Sequence, residues 1–184
     1  MFRNVAIVEE ISDKNLYLRK ISKDDSFFLF ESLKDKRTTH YLSLGPLKTY
    51  ERSKKLIKGY LKSWDKYLQF NYIIELRENN NTRKLGSVSI WNITWYHRRA
   101  DIGIWILPDF WNKGIGKRAL ILIKNVAFLH LKLHRIEAHI AINNKRSINL
   151  FKNAQFVEEG ILSEYLSLDG RYYDAMLLAC LYRS

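Results

Sequence analysis

The chain runs to 184 residues and 21.9 kDa, room for one domain but not for two comfortable ones. Apolar residues make up 47% and only eight Gly and two Pro occur, which excludes a disordered chain; the longest apolar run, Ala175 to Tyr182, is far too short to span a bilayer as a helix. Thirty-one Lys and Arg against nineteen Asp and Glu leave a net charge of +12, so polyanions should be drawn to the protein at low salt, whether nucleic acid or a phosphate-rich cofactor.

A single cysteine, Cys180, allows no internal disulfide and no cysteine-based metal site, and points to a reducing, cytoplasmic setting. The opening residues Met1 to Asn4, soon followed by Glu9 and Glu10, carry no secretory pattern. Val5 to Val8 is a candidate short strand and Asn15 to Ile21 a first full one. Asp24 to Ser32, with Phe27, Phe28 and Phe30 between acidic residues, reads as a helix capped by Ser22 or Asp24. After the break at Gly45-Pro46, Leu56, Ile57, Tyr60 and Leu61 recur at helical spacing within Thr49 to Trp64, an amphipathic surface helix with a basic outer face.

The period then changes to that of strands. Phe70 to Arg77 and Lys84 to Trp91 flank the polar run 78–83 as a hairpin, and Ala100 to Leu107 makes a third strand, stopped by Pro108. Gly114 to Leu133 is a long apolar-rich helix, Arg135 to Ile142 a strand and Ser147 to Ala154 a short helix. Val157 to Leu168 and Tyr172 to Tyr182 close the chain as a hairpin over Asp169-Gly170. No repeat or linker divides these elements. They predict a single α/β (α+β) domain over 1–184 with a mixed, mostly antiparallel sheet and flanking helices. Strands 100–107 and 135–142 should be parallel neighbours joined by a right-handed crossover.

The segment most suited to chemistry follows strand 100–107. Trp111-Asn112-Lys113-Gly114-Ile115-Gly116-Lys117 places two glycines at a helix start, where first-turn amides lack internal partners and can face an anion. Lys113 and Lys117 add positive charge. The residues suit a pyrophosphate cradle, and Gly-x-Gly alone suits a tight turn equally well. Neither a dinucleotide fingerprint nor a Walker loop fits, since Ala119 replaces a third glycine and Arg118 follows Gly116-Lys117.

A second segment, Asn144-Lys145-Arg146-Ser147 with Leu150-Phe151-Lys152-Asn153-Ala154-Gln155-Phe156, follows strand 135–142. Together the two resemble the signature of the GNAT superfamily of acyl-CoA-dependent N-acyltransferases: Gln/Arg-x-x-Gly-x-Gly/Ala, then Asn-x-x-Ser/Ala and Leu-Tyr-x-x-x-Gly-Phe. Trp111 at the first signature position, Ala100 to Trp105 before it, and the ending around Gly160 and Asp169 to Asp174 are similar to the RimJ/RimL-like branch, which acetylates ribosomal-protein N-termini. The resemblance implies acetyl-CoA as cosubstrate. It implies that strands 100–107 and 135–142 splay to admit the pantetheine arm, with the backbone of Ile104, Trp105 and Ile106 pairing with its amides. Trp111, Asn112, Lys113, Gly114, Ile115, Gly116 and Lys117 would hold the pyrophosphate, Asn144 would bond the arm, and the helix from Ser147 would flank it. As structure alone, Asn144 serves as a turn residue and Ser147 as an N-cap.

Acetyl transfer needs a neutral amine, stabilisation of the oxyanion and a proton for the leaving thiolate. The family's usual acid, the Tyr of Leu-Tyr, is Phe151 here and has no proton to give. By resemblance to the RimL-like branch the role passes to Ser147, or to water. His139 and Glu137, on one face of strand 135–142, are candidates for the base; covering the long helix is the alternative for His139. Asp101 begins its strand and is expected to lie too far from the opening, while Glu75 or Glu164 could reach the acceptor from neighbouring elements. Tyr172 and Tyr173 could line the acceptor entrance or only pack the hairpin; Trp91, Trp95, His97, Arg98 and Arg99 surround a loop facing the same side. The histidines form no spaced ligand set, so no metal is expected.

The main expectation is N-acetylation of a protein N-terminus, with the ribosome or rRNA nearby, by a monomer or homodimer that touches no membrane. The alternative is an aminoglycoside or other small-molecule amine as acceptor, which calls for a carboxylate-rich pocket, and the sequence shows no acidic cluster. A nucleic-acid-associated or inactive CoA-binding domain is the reading from another class.

Overall fold

The computed structural model describes residues 5–79 and 81–183. The expectation for Met1 to Asn4 and the centre of the 78–83 turn lie outside these residues. Eight strands form one sheet: β1 (Glu10–Asp13), β2 (Leu16–Lys20), β3 (Phe70–Glu78), β4 (Asn81–Thr94), β5 (Arg99–Ile106), β6 (Arg135–Ala141), β7 (Val157–Leu168) and β8 (Arg171–Leu181). Their spatial order is β1-β2-β3-β4-β5-β6-β8-β7. Every neighbouring pair is antiparallel except β5 and β6. That single parallel pair is forced by the crossover through α4 (Ile115–Asn125), as the sequence predicts. Among the described residues no helix is long and apolar enough to cross a membrane.

Two apolar layers sandwich the sheet. On one face Leu18, Tyr72, Val88, Ile102, Ile136 and Ala138 pack beneath Ala119, Leu120 and Ile123 of α4 and Phe151 of α5 (Lys145–Asn153). On the other, Ile73 meets Leu29 and Leu33 of α1 (Ser26–Leu33) and Ile57 of α3 (Tyr50–Asp65). Alternation along each strand supplies both layers, so period-two stretches read correctly from sequence become the interior.

Several boundaries differ from expectation for local reasons. Val5 to Val8 is not a strand: Val5 and Ile7 pack on the first core while the Ala6 amide bonds the His130 carbonyl at 3.0 Å. The extra strand is β1, which pairs Asp13 with Leu16 across a turn holding Lys14 at φ 52°. A short helix, α2 (Lys36–Thr39), is capped by Asp35, whose carboxylate accepts from the Arg37 amide. The helix expected to reach Leu133 stops being α-helical at Asn125. A π turn over Val126–His130 follows, with the Leu131 amide reaching the Val126 carbonyl five residues back. It keeps Val126 and Ala127 in the core while turning the chain toward β6.

Candidate active site

The parallel pairing of β5 with β6 lasts only three residues: Arg99 with Arg135, Ala100 with Ile136 and Asp101 with Glu137. Beyond Asp101 the two strands part, and the gap between them widens into a cleft of about 1010 Å³. In antiparallel pairing alternate residues turn their main-chain groups outward. The Leu107 amide bonds Leu85 of β4, so the peptide groups of Ile102, Ile104 and Ile106 face the gap. Trp105 pairs its backbone with Ser87 on β4, and its side chain, stacked near Phe28, is what it contributes to the cleft. The Ile106 carbonyl is already taken by the Trp111 indole N–H at 2.7 Å.

At the wide end, the loop before α4 curls through left-handed Asn112 (φ 58°) and Gly114 (φ 74°). The first intrahelical bond runs from the Arg118 amide to Gly114, leaving the amides of Ile115, Gly116 and Lys117 without a helical acceptor and aimed at the cleft mouth. The two glycines have different reasons to be there. A Cβ at Gly114 meets nothing within 4 Å, so its conformation is what requires glycine. A Cβ at Gly116 would approach both Leu150 methyls to 3.0 Å and Ile106 to 3.2 Å, so there the requirement is close packing of α4. Lys113, Lys117 and Arg146 ring the mouth, and Arg146 lies flat on Trp111, 3.2 Å from the ring centre.

The opposite wall comes from α5 and the turn before it. The helix starts at Lys145 rather than at Ser147. Asn144 is the N-cap, its Oδ1 accepting from the Ser147 amide at 3.2 Å, which leaves the Asn144 side-chain NH₂ as its donor into the cleft. Ser147 lines the cleft within the first turn. Phe151 is buried edge-on against Phe156, a packing residue. Tyr41, just after α2, donates to the Asn143 carbonyl at 3.3 Å and bridges the cleft.

The narrow end is acidic, which the sequence did not show. A bulge in β4 between Trp91 and Thr94, with Asn92 at φ 49°, turns the Asn92 amide toward Asp101, which accepts it through Oδ2 at 2.7 Å. Asp101, Glu137 and His139 gather here, their functional atoms all within 4.8 Å of one another. Asp101 is thus not remote from the opening but at its vertex, because the register pairs it with Glu137 where the strands part. Glu137, 8% exposed, is bound by Arg135 at 2.5 Å and faces Arg99 at 3.7 Å. His139 lies 3.9 Å from Glu137 and stacks on Tyr165 of β7 at 4.7 Å, on the side of the sheet away from α4. Burial pushes the Asp101 carboxyl above its usual range and Glu137 adds to the rise, while Asn92, His139 and Arg99 oppose it.

The other candidates separate from this cluster. Glu75 is buried between Arg19 and Arg77, an ion-pair network under α1. Glu164 is exposed on β7, its amide bonded to Asp174. Tyr172 is exposed at the hairpin tip, and Trp95 bonds the Tyr67 carbonyl. Of the β4–β5 loop group, Trp91 and Arg99 reach the vertex.

A parted parallel strand pair thus combines, in one cleft, a helix N-terminus of free amides suited to an anion at one end and ionisable groups at the other. The chain belongs to the acetyltransferase (GNAT) domain family, whose model matches residues 15–157. It is a GNAT-type, acetyl-CoA-dependent acetyltransferase. It is similar to the spermidine N(1)-acetyltransferase of Vibrio cholerae, 26% identical over 162 residues that cover 88% of this chain and 90% of that one. A crystal structure of the Vibrio cholerae spermidine N-acetyltransferase with CoA and spermine superposes with a TM-score of 0.81 at 25% identity, covering 92% of this chain and 96% of that one. RimL, the ribosomal L7/L12 alpha-N-protein acetyltransferase, in complex with CoA, shares the fold at a TM-score of 0.85 and 20% identity, over 94% of this chain and 98% of that one. The RimJ/RimL-like assignment expected from sequence therefore widens to the superfamily.

Proposed function

We propose that the protein acetylates a primary amine on a small, cationic molecule, using acetyl-CoA. The observation that carries this reading is the pair of carboxylates, Asp101 and Glu137, at the vertex where the cofactor cleft ends. An ammonium ion is attracted to that point, and in a +12 chain such a cluster is the local exception to a repulsive surface. The resemblance to spermidine acetyltransferases supports the same class of acceptor.

In this reading the amides of residues 112–117, with Lys113 and Lys117, hold the pyrophosphate. The pantetheine arm lies along Ile104 and Ile106, bonded also by the Asn144 side-chain NH₂, and brings the thioester toward Ile102. His139 is the base, kept in place by Tyr165, and Glu137 steadies the charge that His139 gains. Ser147, on the wall of the cleft, donates to the departing thiolate in place of the phenol that Phe151 lacks. Calorimetric titration with acetyl-CoA, followed by thiol release assays with diamines, an aminoglycoside and an N-terminal peptide, tests the proposal. Micromolar acetyl-CoA binding with turnover of the small amines is expected, and turnover of the peptide alone would refute the acceptor class.

A further inference from the structure

The outer side of α3 carries a charge pattern that the cofactor cleft does not use. Residues 48–66 hold seven Lys and Arg against Glu51 and Asp65. The inward row of the helix, Ser53, Ile57 and Trp64, is buried, with the Ser53 hydroxyl donating to the Ser26 carbonyl at 2.8 Å and Trp64 edge-on to Phe70. Arg52, Lys54, Lys55, Lys58 and Lys62 are left on the exposed side, over about 15 Å of helix. Of these five, Lys54 alone pairs with a carboxylate among the described residues, Glu51 at 2.8 Å. Lys58 stands four residues from both Lys54 and Lys62, like charges that weaken a helix, and Arg52 in the first turn opposes the helix dipole. The sheet shows the contrast: Arg19, Arg77 and Arg135 each bind two carboxylates. No residue of α3 borders the cofactor cleft.

An aromatic corner stands at the start of this row. Phe27 of α1 is 64% exposed and lies edge-on to Tyr50, the first residue of α3, with ring centres 6.4 Å apart. Phe30 meets the same Tyr50 ring at 6.1 Å. Ammonium groups sit on the rings as well: Lys54 is 4.6 Å from the Tyr50 centre and Lys34 is 5.5 Å from that of Phe30. The corner therefore offers aromatic surface for stacking directly beside positive charge.

We propose that the exposed face of α3, with Phe27 and Tyr50 at its end, docks single-stranded nucleic acid. Unpaired Arg52, Lys55, Lys58 and Lys62 attract the phosphates and release their counterions, while an unstacked base lies against Phe27. Like charges that cost helix stability in the free protein become favourable once a polyanion lies across them. A membrane-surface helix needs an apolar row facing the lipid, and the apolar row of α3 is spent on the core. A duplex presents phosphates without unstacked bases, so it leaves the aromatic corner unused.

The test is fluorescence anisotropy of a labelled RNA single strand of about 20 nucleotides, added to the full chain with excess CoA present to occupy the cofactor cleft. Raising salt from about 50 to about 200 mM should weaken wild-type binding at least about tenfold. Lys55→Glu combined with Lys62→Glu should lose at least about tenfold in affinity at low salt and flatten the salt dependence. Lys14→Glu combined with Arg171→Glu makes the same change in net charge at the two strand turns and should keep the wild-type slope. Phe27→Ala should lose about fivefold or more with the slope unchanged, since stacking releases no counterions. Thermal unfolding reports that each variant is folded. The same sequence as DNA says which sugar is preferred, and binding of either single strand supports the proposal. No binding at low salt, an equal loss in the two charge variants, or tighter binding of a duplex overturns it. Binding to phosphatidylserine vesicles without binding to nucleic acid overturns it in favour of a membrane surface.

Discussion

Gly114 offers a perturbation whose two effects can be separated. It sits at φ 74°, ψ −8° as the N-cap of α4, and an added Cβ meets no other group within 4 Å. Replacement by Val therefore clashes with nothing at its Cβ, and the stability cost is that of a branched L-residue in the left-handed region, about 1–2 kcal/mol. For a domain of this length that is a fall in Tm of about 2–8 °C. The second effect is on binding. The new methyl groups stand beside the free amides of residues 115–117, where the pyrophosphate is proposed. Displacing one charge-assisted hydrogen bond, worth about 1.5–3 kcal/mol, weakens acetyl-CoA binding by about 10- to 100-fold. Gly114→Asn separates the two, since Asn tolerates the left-handed region: Tm should hold while affinity falls. Thermal unfolding by circular dichroism and calorimetric titration with acetyl-CoA measure both. If Gly114→Val keeps the wild-type Tm, the conformational argument is refuted; if Gly114→Asn binds acetyl-CoA as wild type does, the steric one is.

Gly103→Ala should cost about 1–3 kcal/mol, because the Trp91 ring must leave its present position, and should raise KM for the amine with acetyl-CoA affinity kept. Unchanged kinetics would show that the position of Trp91 does not shape the site used by the amine. Ser147→Ala should lower kcat and leave the Kd for acetyl-CoA intact; a wild-type kcat removes Ser147 from the mechanism. Asp25 gives a pH-dependent test of the fold. Burial alone would raise its carboxyl, but hydrogen bonds from Arg19 and Lys84 hold it down at about 2. A carboxyl depressed in the folded state contributes its stability above the unfolded pKa near 4 and loses it as pH falls toward 2, here about 2 kcal/mol. Urea unfolding at pH 6 and pH 2.5 should show that loss in the wild type and a smaller one in Asp25→Asn; equal losses would refute it.

Much of the fold was legible because its signals are local. Alternation marks β3 to β6, helical spacing marks α3 and α4, and Asp169-Gly170 marks the last turn, each readable within about ten residues of chain. Failures fell where a distant partner decides the outcome. Val5 and Ile7 are apolar enough for a strand but pack beside the end of the π turn, and Asn144 rather than Ser147 caps α5 because the β6 turn delivers it there. The glycine-loop end of the candidate site was legible for the same reason as the helices: residues 111–117 are contiguous, and free amides follow from a helix beginning at that place.

The acidic end was not. Asp101 and Glu137 stand thirty-six positions apart on strands whose register no local pattern specifies, and a shift of one residue would send Asp101 to the α4 face. From the sequence alone, composition, strand and helix periods and the glycine loop determine an α/β domain with two glycines at the start of its long helix. The tertiary structure alone decides that β5 and β6 part immediately after Asp101, that the β4 bulge brings Asn92 to it, and that His139 and Glu137 join it there. Strand pairing and bulges depend on contacts between segments far apart in the chain, and those contacts are what turn separate ionisable residues into one site.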